Sequence, residues 1–216
     1  GHDGGHNPIA HPINDPNVFG ILDNYNAATH VLNISTNIGI GVSLTAAAQT
    51  LGVFGVFATR TAGGGGTQVS LNVNETAAEV ISVAGRVNAI TGSVTAQGVH
   101  LGAFGGAGGA TSANANVTNA GSIHAVAHAG TCTTAGFCWG LGQEDAKATG
   151  VVLLAGGATF ASANVVNTGN IVASATVTGG SNFFWFGTGN HATAVGVHEF
   201  VGSAIFATAN LTNNAG

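Results

Sequence analysis

From about residue 94 onward, apolar and polar residues alternate with a period of two. Ile123, Ala125, Ala127 and Ala129 share one parity, with His124, Val126 and His128 on the other. Ile171, Ala173, Ala175 and Val177 repeat this against Val172, Ser174 and Thr176. The same pattern places Ala113, Ala115 and Val117, then Ala161, Ala163 and Val165, then Ala207, Ala209 and Leu211 on an inward face. Strict alternation bounded by Asn and Gly predicts β-strands. Alanine favours helices, but a helical face needs apolar residues at i, i+3 and i+4, and the frequent glycines would break it.

These strands belong to a repeat. Val94-Thr-Ala-Gln-Gly-Val99, Ala146-Lys-Ala-Thr-Gly-Val151 and Ala192-Thr-Ala-Val-Gly-Val197 align at offsets of 52 and 46 residues. Each precedes an Asn-rich block, in which Asn116, Asn164 and Asn210 correspond, as do Asn119, Asn167 and Asn213. An isoleucine strand follows the first two of these blocks, beginning at Ile123 and Ile171. Self-similarity at this period is the signature of a stacked architecture. The expected fold is all-β, a parallel β-solenoid (β-helix) with two turns per 46–52-residue repeat. Small inward residues make it thin, with Phe160 and Phe206 at corners or on the outside. The repeats are clearest over 94–216 and weaker over 31–93, where Ser43 to Gln49 could form a short helix. Residues 1–29 hold Pro8, Pro12 and Pro16 and read as an extended arm or cap, leaving 30–216 to the solenoid.

Composition narrows the function. Charged residues are 5% of the chain and apolar residues 45%, so a disordered tail is excluded. Three basic residues, Arg60, Arg86 and Lys147, cannot form the positive stripe that nucleic acid requires. The longest apolar run, Leu51 to Ala58, is far shorter than the roughly twenty residues of a membrane helix. There is no initiator methionine or apolar leader, and Gly1-His2-Asp3 suits a processed mature end.

Asn119 to Ala127 and Asn167 to Ala175 share the pattern Asn-x-Gly-x-Ile-x-Ala-x-Ala. With the three Gly-Val blocks, this resembles the low-charge repeats of bacterial autotransporter passengers and haemagglutinin-like adhesins. The resemblance covers about 94–216. It implies a parallel β-solenoid that is exported to the bacterial cell surface and serves adhesion or matrix building.

Candidate chemistry is sparse. Cys132 and Cys138 enclose five residues and suit a loop disulfide in an oxidising compartment better than a metal site. His2, Asp3, His6 and His11 cluster near the amino terminus as candidate ligands for Cu(II), Ni(II) or Zn(II), and no other cofactor is expected. His124 and His128 lie about 13 Å apart on a strand and cannot share one ion. His100 and His198 occupy equivalent repeat positions, with Val152 between them, and read as repeat drift on an exposed face. The acid pairs Glu75/Glu79 and Glu144/Asp145 read as solvated charge. Asn116, Asn164 and Asn210, with Asn119, Asn167 and Asn213, read as turn or ladder asparagines. Phe183, Phe184, Trp185 and Phe186 offer lateral contacts. The third repeat stops before its isoleucine strand, so the end is either that of a fragment or an edge that pairs with a neighbour. A structural protein is therefore expected rather than an enzyme: an extracellular fibre or adhesin that assembles with itself and contacts surface glycans or matrix. The alternative is a carbohydrate-binding or carbohydrate-cleaving β-helix.

Overall fold

The computed structural model describes residues 23–26, 31–36, 40–46, 50–62, 68–88, 92–106, 110–130, 144–178 and 190–214. A short strand β1 (Asp23–Asn26) precedes a coil. The first turn comprises β2 (Val31–Thr36), β3 (Ile40–Ala46) and β4 (Thr50–Ala62). The second comprises β5 (Gln68–Glu75), β6 (Val80–Val87) and β7 (Ser93–Gly105). The third holds β8 (Ala110–Asn119), β9 (Ser122–Ala129) and β10 (Asp145–Gly156), and the fourth β11 (Ala158–Asn167), β12 (Asn170–Val177) and β13 (His191–Gly202). Strand β14 (Phe206–Asn213) opens a further turn.

Like strands stack into three sheets that do not close on one another. Sheet one is β1-β2-β5-β8-β11-β14, sheet two β3-β6-β9-β12 and sheet three β4-β7-β10-β13. Every pairing is parallel except that of β1, which runs antiparallel along β2. The chain is an all-β parallel solenoid, as its alternation predicted, but the turn count differs. Ala125 pairs directly with Ala173, and Ala113 with Ala161, so one repeat is one turn. Each turn has three sides with strands of up to 13 residues. Alternation reports inside and outside; it does not report how many corners a turn has. The Ser43–Gln49 helix is likewise corrected up to Ala46: those residues lie in β3, paired with β6. Tertiary pairing overrides the helix propensity of a short segment.

The core is a stack of small apolar columns. Val69, Leu71 and Val73 of β5 stand over Ala113, Ala115 and Val117 of β8, all buried. Sheet two contributes the column in which Ile81 stands over Ile123, and beside it that of Val83 over Ala125. Sheet three contains the feature that lets the coil be thin. Its inward positions run Val53 then Val56, Ala96 then Val99, and Ala148 then Val151, so the alternation slips by one residue each time. The slip falls on Gly55, Gly98 and Gly150, the glycine of each Gly-Val block. Each of these glycines packs against an isoleucine of sheet two: Ile81, Ile123 and Ile171 respectively. A Cβ on Gly98 would overlap the Ile123 side chain and stand 2.6 Å from the Gly150 carbonyl oxygen. The two motifs of the repeat are thus opposite halves of one contact.

The last turn differs. Ile171, Ala173, Ala175 and Val177 are half-buried, and all of β14 is exposed, including Leu211 at 53%. Among the described residues, nothing lies on the outer side of β12, β13 or β14. Likewise no helix of the described residues is long and apolar enough to cross a membrane.

Candidate functional site

Polar side chains collect at the corner where sheet one hands over to sheet two. The final residues of β5, β8, β11 and β14 form one column: Glu75, Asn119, Asn167 and Asn213. An amide carries both donor and acceptor, so stacked asparagines can satisfy one another. Asn119 Nδ2 donates to Asn167 Oδ1 at 2.6 Å and to the Asn170 carbonyl at 3.2 Å. Asn167 Nδ2 donates to Asn213 Oδ1 at 2.8 Å, and Asn119 Oδ1 accepts from the Gly121 amide at 3.1 Å.

Glu75 occupies this column with no exposed surface, and neither carboxyl oxygen has a hydrogen-bond partner. Burial pushes its pKa up to about 7. The Ile81 and Ser122 amides draw it back without completing hydrogen bonds, and the charge of Glu79 adds to the rise. The expected solvated pair is therefore corrected at Glu75: the apolar residues Leu71 and Val73 on the same parity carry it inward. Glu144 is corrected for the same reason. It is buried at the corner entering β10, its Oε2 lacks a partner, and burial raises its pKa. Asp145 next to it is exposed.

The second amide column stands mid-strand on the outer face of sheet one, and not in turns. Asn116 Nδ2 donates to Asn72 Oδ1 (2.8 Å), Asn164 Nδ2 to Asn116 Oδ1 (2.8 Å) and Asn210 Nδ2 to Asn164 Oδ1 (2.9 Å). Beside it, Ser162 Oγ donates to Asn114 Oδ1 at 2.7 Å. Phe160 and Phe206 stack at 5.0 Å on the same face, both about half exposed. Because the outer ladder is in contact with water, Asn164→Ala should cost only about 1 kcal/mol, read from a denaturant midpoint.

On sheet three, Phe57, His100, Val152 and His198 form one column. The His100 and Phe57 rings lie 4.9 Å apart, with Phe54 edge-on to Phe57, and His100 Nδ1 meets Gln97 Oε1 at 2.7 Å. Burial lowers the His100 pKa, so this ring is a packed, neutral member of an aromatic cluster, while His198 is exposed.

The outer face of sheet two carries the third arrangement. Thr45, Arg86, His128 and Thr176 lie in one row across four strands, and Ser82, His124 and Val172 in another. Arg86 Nε donates to Asn88 Oδ1 at 2.8 Å, and the His128 Nε2 and Thr178 Oγ1 atoms are 2.9 Å apart. Burial, and then the Arg86 charge, lower the His128 pKa.

No family model, no curated protein and no solved structure matches this chain. Function must therefore be inferred from the geometry. His2, Asp3, His6 and His11, Cys132 and Cys138, and Phe183, Phe184, Trp185 and Phe186 lie outside the described residues. Among the described residues no three His, Cys, Asp or Glu side chains are grouped to hold a metal ion. What the described residues offer is hydrogen-bonding arrays at strand spacing, two buried acids with raised pKa values, Glu75 and Glu144, and a part-buried one, Glu199. Sequence reasoning missed Glu75. Aligning Leu71-Asn-Val-Asn-Glu75 with Ala115-Asn-Val-Thr-Asn119 would have found it, because Glu75 then falls in the buried asparagine column.

Proposed function

We propose that this chain is a structural and interaction protein, an exported surface solenoid of the adhesin type whose copies join through the turn formed by β12, β13 and β14. The observation that carries this reading is the open core at that turn. The inward columns of sheet three, buried at Ala146 and Ala148, emerge into water at Ala192 and Ala194. Ile205 and Leu211 are more than half exposed there. Apolar columns in register, together with unpaired strand edges, make a surface that another β-rich end can cover. Sheet one rises one strand beyond the other two on each side, so the joint is not a simple continuation of all three sheets.

One residue makes the joint depend on pH. Glu199 takes the inward place held by Leu101 and Leu153 in the preceding turns. Burial already raises its pKa, partly offset by the Val165 backbone, and its Oε1 has no partner. Covering this turn would desolvate Glu199 further, which opposes association when the group is ionised. Association should therefore strengthen as pH falls. Sedimentation velocity and negative-stain microscopy of the chain at pH 5 and pH 8 test this. Oligomers or filaments should form at the lower pH, and Glu199→Leu should extend them to the higher. Monomers at both values for both proteins, up to millimolar concentration, would reject the joint.

A further inference from the structure

We infer that the outer face of sheet two is a binding surface for an acidic, carboxylate-bearing polysaccharide, seated on the Arg86–His128 row. The chain as a whole is acidic, with eight acids against three bases. On this face the described strands carry Arg86, His124 and His128 and no acid at all. Ser43, Thr45, Ser82, Ser174 and Thr176 present hydroxyls to water on the same face, beside the exposed apolar side chains of Val80, Val126 and Val172. A face of one sign on a molecule of the opposite net sign points to a ligand of negative charge.

The two central groups are held in place. Arg86 is half-buried, and its Nε bond to Asn88 restrains the guanidinium plane without using the Nη donors. A planar fork of this kind suits a carboxylate with two parallel hydrogen bonds. His128 stands on the neighbouring strand, directly opposite Arg86, with Nε2 against Thr178 and Nδ1 left for a ligand. A carboxylate between them would accept from both. His124 lies four residues back along β9, about 13 Å away, and can meet a second carboxylate on the same chain. Thr45 and Thr176 end the row, and Ser43 and Ser174 end the next one, so hydroxyls stand at both edges to meet those of sugar rings, while Val126 between His124 and His128 offers an apolar contact to a ring face.

Among the described residues the face is a run of four adjacent parallel strands, unlike the concave pockets that enclose small molecules. Among the described residues it has one permanent cation and no Phe, Tyr or Trp, which disfavours a nucleic acid that needs several phosphate contacts and stacking platforms. An oligosaccharide laid along the strand fits both facts.

Protonation of His128 should be coupled to binding. Its pKa is lowered by burial and by Arg86; Thr178 is its other polar neighbour, and the buried Glu144 at the corner past Gly130 does not enter its titration. A bound carboxylate opposes the Arg86 effect and raises the His128 pKa, so binding should tighten on acidification.

The test uses isothermal titration of the whole chain with oligogalacturonate, with neutral dextran and sodium sulfate as comparison arms. Oligogalacturonate should bind at least tenfold more tightly at pH 5.5 than at pH 8. Arg86→Gln should weaken it at least tenfold and His128→Gln should reduce the pH dependence. The His128 ring resonance should titrate at higher pH in the complex. Equal affinity for dextran would overturn the inference, as would saturation by sulfate at the same concentration or Arg86→Gln binding like the parent. Arg86 lies on β6, with β9 between it and β12, so Arg86→Gln should self-associate like the parent. Failure of this inference is therefore distinguishable from failure of the joint.

Discussion

Gly98→Ala should destabilise the protein by roughly 3 kcal/mol or more, whereas Gly196→Ala, in the same column, should be close to neutral. Adding a methyl group to a well-packed core costs about 1–3 kcal/mol when side chains can adjust. At Gly98 the added carbon meets the Ile123 side chain on one side and the Gly150 carbonyl, at 2.6 Å, on the other. The isoleucine can turn, but the carbonyl belongs to the next strand of sheet three and moves only if the pairing moves. Gly196 occupies the equivalent place in β13, and a Cβ there meets nothing within 4 Å. Replacing it even gains a little by restricting the unfolded chain. The double variant Gly98→Ala/Ile123→Ala should recover only part of the loss, because it leaves the carbonyl contact. Urea midpoints for the four proteins decide the matter. Equal midpoints for Gly98→Ala and Gly196→Ala would mean that the close approach of sheets two and three does not hold the fold.

Those glycines also mark how far the sequence could be read. The recurrence of Gly-Val at 98, 150 and 196 was plain, as was the alternation that puts Ala125 and Ala173 inside. That the glycine is a slip in the alternation, set against Ile123 from a different motif, was not legible. Periodicity describes one strand at a time and is silent about which strand faces it. The same limit produced the miscounted turns. A run such as Ala113 to Val117 is compatible with any number of sides. The polar residues were harder still. Asn116 and Asn119 are three residues apart, yet one ladder stands in water and the other is buried. A shift of parity decides this, and nothing in the residue type does. Glu75 read as solvated charge because Glu79 lies near it in sequence; only its column shows that it replaces a buried amide.

Glu75→Gln should therefore stabilise the protein at pH 8 by roughly 2 to 3 kcal/mol and flatten its dependence on pH. The folded-state pKa of Glu75, about 7, lies above its ordinary value of 4.5, so the native protein holds the proton more tightly than the unfolded chain. Its contribution is fully present below about pH 4.5 and is lost as pH rises through 7. Glu144 and Glu199 act in the same direction, since burial raises both. His100 and His128 oppose them: their pKa values are lowered, so their contribution is present above about 6.5 and is lost as pH falls. Glutamine keeps the shape of the protonated acid and cannot ionise in a corner where neither oxygen has a partner. It also restores the amide that Asn119, Asn167 and Asn213 supply in later turns. Guanidinium unfolding of parent and variant at pH 4.5, 6 and 8 should give curves that nearly coincide at the lowest pH and separate steadily toward the highest. A variant that loses stability at pH 8, or one whose pH profile runs parallel to the parent's, would show that Glu75 is ionised in the folded state and held by partners the corner does not reveal.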